Sequence, residues 1–191
     1  QCIRLAGLQP AQIDHIAVSR DGRAQLAHKA LYVAKRALQA VTDPAAERAR
    51  FLTTLSQRID NRKRLHRLRQ DLDQALGSLP ATTQLHAVEH HRAHLASAFF
   101  ASDFAQAAVL SLDGFGDFSS TMWANGQGQR LDVQGSIQFP HSLGVLYTAV
   151  TQWLGFPKYG DEGKIMRLSA YGQPTLLPRL RRLVNLHADG T

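Results

Sequence analysis

The chain has 191 residues, 44% of them hydrophobic, and a formal net charge of +7. That is long enough for a domain with its own core, and too apolar for a disordered segment. The single cysteine, Cys2, excludes an internal disulfide and a multi-thiolate metal site, and no apolar run approaches the roughly 18 residues of a membrane span. A reducing, cytoplasmic setting without membrane insertion is expected. No signal-peptide pattern stands at the start, and a chain running from Gln1 to Gly190-Thr191 is expected to be a piece of a longer protein.

Ile3 to Leu8 reads as the end of a helix, with Gly7 as its C-cap. A connector, Pro10 to Asp14, leads into a short strand over Ile13 to Ser19, and Arg20-Asp21-Gly22 makes the following turn. Leu26 to about Ala40 has helical periodicity, Thr42-Asp43-Pro44 breaks it, and a second helix is expected over roughly Ala45 to Leu76. Between Lys29 and Asp73 stand eleven Lys/Arg against five Asp/Glu, so an excess of six positive charges belongs to this helical region. Such a run reads first as a solvated face, and second as a phosphate-backbone contact. Little aromatic interleaving argues against a single-strand binder, and nucleic acid is not the expected partner.

Gln84 to Val88 is the next strand and delivers the chain to three histidines in five positions, His90, His91 and His94. His90 and His94 stand at i and i+4, so on a helix their rings share one face. An Ala-rich apolar run, Leu95 to Phe100, continues that helix. Ala107 to Leu112 reads as a core strand running into a glycine-rich acidic turn, Asp113-Gly114-Phe115-Gly116-Asp117, with a further strand over Ser119 to Ala124. Asn125 to Gly128 is expected to turn that strand back into Arg130 to Phe139. A helix over Leu143 to Leu154 follows, with Leu143, Leu146, Tyr147, Val150 and Leu154 on one side. The segment from Gly155 to Lys164 reads as a loop, and the chain closes with a basic helix around Leu176 to Leu186.

Two imidazoles one helical turn apart, with a carboxylate as third ligand, are a recurring metal arrangement. His91 either pairs with His94 or serves as a supporting residue. A strand ending in Asp before glycines lets backbone N–H groups approach a phosphate while the carboxylate holds a metal, although Asp and Gly are equally common in plain turns. Glu162-Gly163-Lys164 adds a carboxylate and an ammonium, without the glycine and Lys-Ser/Thr spacing of a P-loop.

The string His90-His91-x-x-His94-x-x-Ser97-Ala98-Phe99, Leu112-Asp113-Gly114-x-Gly116-Asp117, Ser142-Leu143-Gly144-x-Leu146-Tyr147, Leu154-Gly155-Phe156, Asp161-Glu162-Gly163-Lys164-x-Met166 and Tyr171-Gly172 resembles the nodulation/cephamycin-type O-carbamoyltransferases. The resemblance runs from Ile13 through Gly172. That family is similar to the tRNA threonylcarbamoyl-transfer proteins. It implies a partial α/β fold of the actin/sugar-kinase-like ATPase type, with a long helical insertion at about residues 26–79. Residues 1–191 would be part of the N-terminal transfer domain, and the adenylate-forming C-terminal domain would lie outside them. The resemblance further implies ATP and carbamoyl phosphate as co-substrates, a carbamoyl-adenylate intermediate, a divalent metal of the Fe2+ type, and a small-molecule hydroxyl acceptor. Carried over by position, the metal ligands are His90, His94 and Asp113. Asp113, Gly114, Gly116 and Asp117 are the adenylate side, and Glu162, Gly163 and Lys164 are a substrate or phosphate loop. No residue is assigned as catalytic base. Arg167-Leu168-Ser169 stands where the family more often has Gly-Leu-Ala. Two other readings remain: a non-haem iron oxygenase with a two-histidine, one-carboxylate site, and a nucleic-acid-binding or tRNA-modification module on the basic helices.

Overall fold

The computed structural model describes residues 2–39, 67–185 and 187. The chain is mixed α/β with two small sheets, and it divides into two compact units. One comprises Gln1–Asp103 with Gly116–Phe118, the other Phe104–Phe115 with Ser119–Thr191.

The first unit begins with α1 (Cys2–Leu5) and a 3-10 turn (Pro10–Gln12), then strand β1 (His15–Val18) and helix α2 (Leu26–Gln39). A helical segment over 67–76, here α3, precedes β2 (Gln84–Ala87), which lies parallel to β1 in the register His15↔Gln84 through Val18↔Ala87. The ladder extends at both ends, from Gln84 N–H to Asp14 C=O (2.8 Å) and from Val88 N–H to Val18 C=O (2.9 Å). The break at Thr42 to Pro44, and most of the helix expected after it, lie outside the described residues. Within α3, Leu68, Leu72 and Leu76 are half-buried, the amphipathic stripe their spacing predicts.

Arg69 departs from the reading of this region as a solvated basic face. Its guanidinium donates to the carbonyls of Pro80 (2.7 Å), Thr83 (2.9 Å) and Leu79 (3.3 Å), and it pairs with Asp73. Asp73 in turn accepts the Leu79 N–H at 3.0 Å. This cation therefore organises the turn between α3 and β2. Helix α4 (His90–Phe100) follows and buries His91, Leu95 and Phe99, an i, i+4, i+8 stripe. Phe118 is also buried, with the Tyr32 ring edge-on to it at 5.6 Å.

The second unit holds the sheet β3–β4–β5: β3 (Gln106–Gly116), β4 (Ser119–Gln127) and β5 (Arg130–Gln138). Central β4 is buried almost continuously from Ser119 to Ala124, as a strand covered on both faces must be. Its small hydroxyl side chains are satisfied inside: Ser120 Oγ donates to the His141 carbonyl at 2.5 Å. β4 and β5 pair antiparallel out to Gln127↔Arg130. The turn thus tightens to Gly128-Gln129, with Gly128 at φ +55, rather than opening at Asn125 as expected.

Two strand readings are corrected here. The strand does not end at Asp113: Asp113-Gly114-Phe115-Gly116 are its last four residues, and the chain turns at Asp117 and Phe118, both left-handed (φ 49 and 81). Nor is β3 a core strand throughout. Val109 and Ser111 are buried, whereas Leu110 and Leu112 stand on the opposite, exposed face, since side chains alternate along a strand.

Helix α5 (Leu143–Trp153) starts at Ser142, whose hydroxyl accepts the Val145 N–H at 3.0 Å. Leu146 and Val150 are half-buried and Thr151 fully buried, while Leu143, Tyr147 and Leu154 of the expected apolar face are exposed. The loop expected through Lys164 ends sooner, because α6 (Glu162–Ser169) takes Glu162, Gly163 and Lys164 as its first turn. Asp161, at the start of α6, is buried; its carboxylate accepts the Lys158 N–H (2.9 Å) and pairs with the Lys164 ammonium (2.6 Å). The short helix α7 (Leu177–Leu180) and a 3-10 turn (Arg181–Leu183) end the described chain. No helix among the described residues is long and apolar enough to cross a membrane.

Two stability tests follow from this packing. Leu95 is 1% exposed on the buried face of α4, so Leu95→Ala should lower the unfolding free energy in urea by roughly 2–5 kcal/mol. Asp161 tests a pH dependence. The hydrogen bond from Lys164 holds its carboxyl below the ordinary carboxylate range, helped by the Lys158 N–H and opposed by burial. A folded pKa below the unfolded one stabilises above the unfolded pKa, and that stability is lost as pH falls through the folded value. Asp161→Asn should lower the thermal midpoint at pH 7, and its midpoint should fall less steeply than wild type below about pH 4. Parallel acid profiles for the two proteins would contradict this assignment.

Candidate functional site

Glu89 caps α4, accepting the Arg92 N–H on Oε2 at 2.7 Å. A carboxylate here also complements the positive end of the helix. With α4 started at His90, the i and i+4 residues His90 and His94 fall on the same face. Their Nε2 atoms stand 3.1 Å apart, and the rings meet edge-on with centroids 4.6 Å apart. His90 is half-buried and His94 exposed. His91 is fully buried, in the stripe with Leu95 and Phe99. Two histidines thus share one face of the helix, and the third belongs to its buried stripe.

Gly116 and Asp117 lie in the same unit as α4 and hold His90 from two sides. A Cβ at Gly116 would overlap the His90 ring, so only glycine lets the strand end lie against the imidazole. Asp117 Oδ2 accepts the His90 N–H at 2.9 Å and the Asp21 N–H at 2.7 Å. Asp21, in the turn after β1, also accepts the Arg23 N–H on its own side chain. The carboxylate of Asp117 therefore fastens the start of α4 to the turn after β1.

Asp113 sits three residues earlier on β3, exposed, with its Oδ1 accepting the Gly114 N–H at 2.6 Å. Its backbone is fixed by the start of α5. Ser142 Oγ donates to the Gly114 carbonyl (2.5 Å) and reaches the Asp113 carbonyl at 3.3 Å. A Cβ on Gly144 would stand 2.6 Å from the Asp113 carbonyl oxygen, so the helix approaches the strand too closely for any other residue. Ser142 and Gly144 belong to the Ser-Leu-Gly string that helps carry the family resemblance, which by itself gives them no place at the site. Gly114 differs from both: its φ is not positive, and a Cβ there would meet nothing within 4 Å among the described residues.

Glu162, Gly163 and Lys164 form the first turn of α6 in the second unit. Glu162 Oε1 accepts the Thr148 hydroxyl at 2.6 Å, which holds its carboxyl below the ordinary range. Lys164 pairs with Asp161, so its charge is partly matched within the turn. Elsewhere, His15 and His86 form a second close pair across the β1–β2 sheet, Nδ1 to Nε2 2.9 Å, both exposed.

Comparison with known proteins gives this geometry a family. The model of the carbamoyltransferase N-terminus matches residues 1–191. An uncharacterized protein of Synechocystis sp. is 48% identical over 104 residues, which is 54% of this chain and 17% of that protein. Nodulation protein NolNO of Sinorhizobium fredii is 37% identical over 107 residues, 56% of this chain and 16% of its own length. Nodulation protein NolO of Bradyrhizobium diazoefficiens is 39% identical over 87 residues, 46% and 16% respectively. The matched stretch is thus about a sixth of each of these relatives, and with the family model covering every residue, the chain belongs to the carbamoyltransferase N-terminus family.

Proposed function

We propose that this chain is the carbamoyl-transferring part of an O-carbamoyltransferase, and that His90, His94 and Asp113 hold one divalent metal ion there. The observation that carries the metal reading is the His90–His94 pair. Two imidazole nitrogens bound to one ion at about 2.0–2.1 Å, with angles between right and tetrahedral, stand roughly 2.8–3.4 Å apart. The Nε2 atoms are 3.1 Å apart before any ion is considered. With an Asp113 carboxylate oxygen the donor set would be two nitrogens and one oxygen, chemistry that suits iron as well as other first-row ions.

The transfer chemistry follows from the family. The acceptor is a small molecule with a free hydroxyl, on a sugar or a natural product. Its oxygen attacks the carbamoyl carbon of a carbamoyl-adenylate, the bond from that carbon to the phosphate oxygen breaks, and the hydroxyl proton leaves to a base. AMP departs and a carbamate ester is formed. ATP and carbamoyl phosphate are the co-substrates from which another domain of the longer protein makes the adenylate. His90, His94 and Asp113 would hold a divalent ion, which would supply positive charge to stabilise a leaving phosphate. Gly114, Gly116 and Asp117 are the adenylate side of the site. Support comes from Gly114, where neither backbone angle nor packing requires a glycine and a side chain would occupy open space next to Asp113. Glu162 and Lys164 are the substrate-side loop, acting from the rigid first turn of α6. An actin/sugar-kinase-type fold for the whole protein and a cytoplasmic setting complete the proposal.

Family membership disfavours the iron-oxygenase reading, which shares the same donor set. The nucleic-acid reading is weakened at Arg69, which is engaged with three backbone carbonyls and Asp73.

Asp113→Asn keeps the shape of the side chain and removes its charge. In the full-length protein it should lower metal content by elemental analysis and reduce carbamoyl transfer at least 100-fold. The thermal midpoint of the metal-free protein should stay near wild type. His90→Ala and His94→Ala should lose metal as well. Wild-type metal stoichiometry in all three variants would reject the ligand set, and wild-type turnover in Asp113→Asn would reject its role in transfer.

A further inference from the structure

We infer that Asp117 is a positioning residue: its carboxylate, acting through the backbone of His90, fixes the direction in which the His90 ring points toward His94. The inference rests on the metal site proposed above for its functional meaning, but its structural content stands separately.

Three observations carry it. A single oxygen, Asp117 Oδ2, accepts two backbone N–H groups from segments far apart in sequence, His90 and Asp21. The His90 N–H is the first of α4, one of the donors that a helix leaves without an internal partner. The preceding residue, Gly116, lies flush against the His90 ring, so one dipeptide holds both the main chain and the side chain of that histidine. Finally, Asp117 adopts φ 49 and Phe118 φ 81, a left-handed pair that turns the chain sharply just after Gly116. Aspartate tolerates that region better than most residues, and Phe118, buried and edge-on to Tyr32, anchors the turn. A carboxylate that merely formed a turn would bond its own neighbours. This one bonds the residue bearing the proposed ligand.

Residues that orient metal-bound histidines usually act on the second ring nitrogen, and their loss weakens metal binding about 10–100-fold. Here the same control is exerted through the helix start, where a small rotation of the first turn moves the His90 ring away from His94, one turn further on.

The test compares Asp117→Gly, which removes the acceptor while keeping left-handed freedom, with Asp117→Asn, which keeps an oxygen acceptor at the same place. Both are made in the full-length protein. In the metal-free state, amide hydrogen exchange at His90 and Asp21 should rise at least 10-fold in Asp117→Gly, with Met122 of β4 unchanged. Cobalt(II) titration should show an affinity at least 10-fold weaker in Asp117→Gly, with Asp117→Asn falling between that variant and wild type. Unchanged protection of the His90 amide in Asp117→Gly overturns the inference. So does wild-type cobalt affinity in a variant whose His90 amide has been loosened, because the carboxylate would then be only a structural tie. If wild-type protein takes up no cobalt, the metal-site reading fails, and retained His90–His94 ring proximity by NMR in Asp117→Gly would overturn the positioning role on its own. Loss of that proximity would sustain it.

Discussion

The closeness of a strand end to an imidazole ring constrains this molecule more than any other single interaction. Gly116 can be nothing larger, because the His90 ring occupies the space a side chain would need. Once that contact is fixed, the rest has little freedom. The next residue must turn back in a left-handed conformation, its carboxylate falls within reach of the first N–H of α4, and the helix is held from its first turn. The buried stripe of His91, Leu95 and Phe99 then sets the helix rotation, which leaves His90 and His94 on the remaining face.

A comparable arrangement serves Asp113 within the second unit. Ser142 caps α5 with the same hydroxyl that donates to the Gly114 carbonyl, and Gly144 lets the helix approach to contact distance of the strand. The start of one helix positions the histidines and the start of another fixes the backbone of the aspartate. Both use short-range hydrogen bonds to backbone groups, which are directional and leave little room for drift. Backbone groups held in this way limit how far the side chains they carry can drift.

How much of this could be read from the sequence depended on whether the signal was periodic. The i, i+4 histidines, the amphipathic stripe of α3 and the strands β1 and β2 appeared where spacing placed them. The end of β3 did not. Asp-Gly-Phe-Gly has turn composition, and composition alone cannot say whether glycines bend a chain or let something approach it; here Gly116 serves the second purpose. Leu110 and Leu112 were read as core because an apolar run looks the same whether one face or two are covered. Glu162 to Lys164 followed a glycine- and proline-containing stretch, which hid the helix they begin. Arg69 resembles the other basic residues of its run, since nothing local shows that one guanidinium will bridge three carbonyls contributed by residues ten to fourteen positions later.

The parallel pairing of β1 with β2 has a consequence for how this chain can vary. His15↔Gln84 joins residues nearly seventy positions apart, so this ladder is a long-range contact of the chain. Bringing residues so distant in sequence together costs conformational entropy that grows only as the logarithm of their separation, so doubling it adds about 0.6 kcal/mol. The return point is secured locally: Arg69 and Asp73 organise residues 79–83, and Thr83 donates its hydroxyl to the Ile13 carbonyl at 2.7 Å. The pairing of the strands is therefore held by these local contacts and is only weakly sensitive to how many residues separate them.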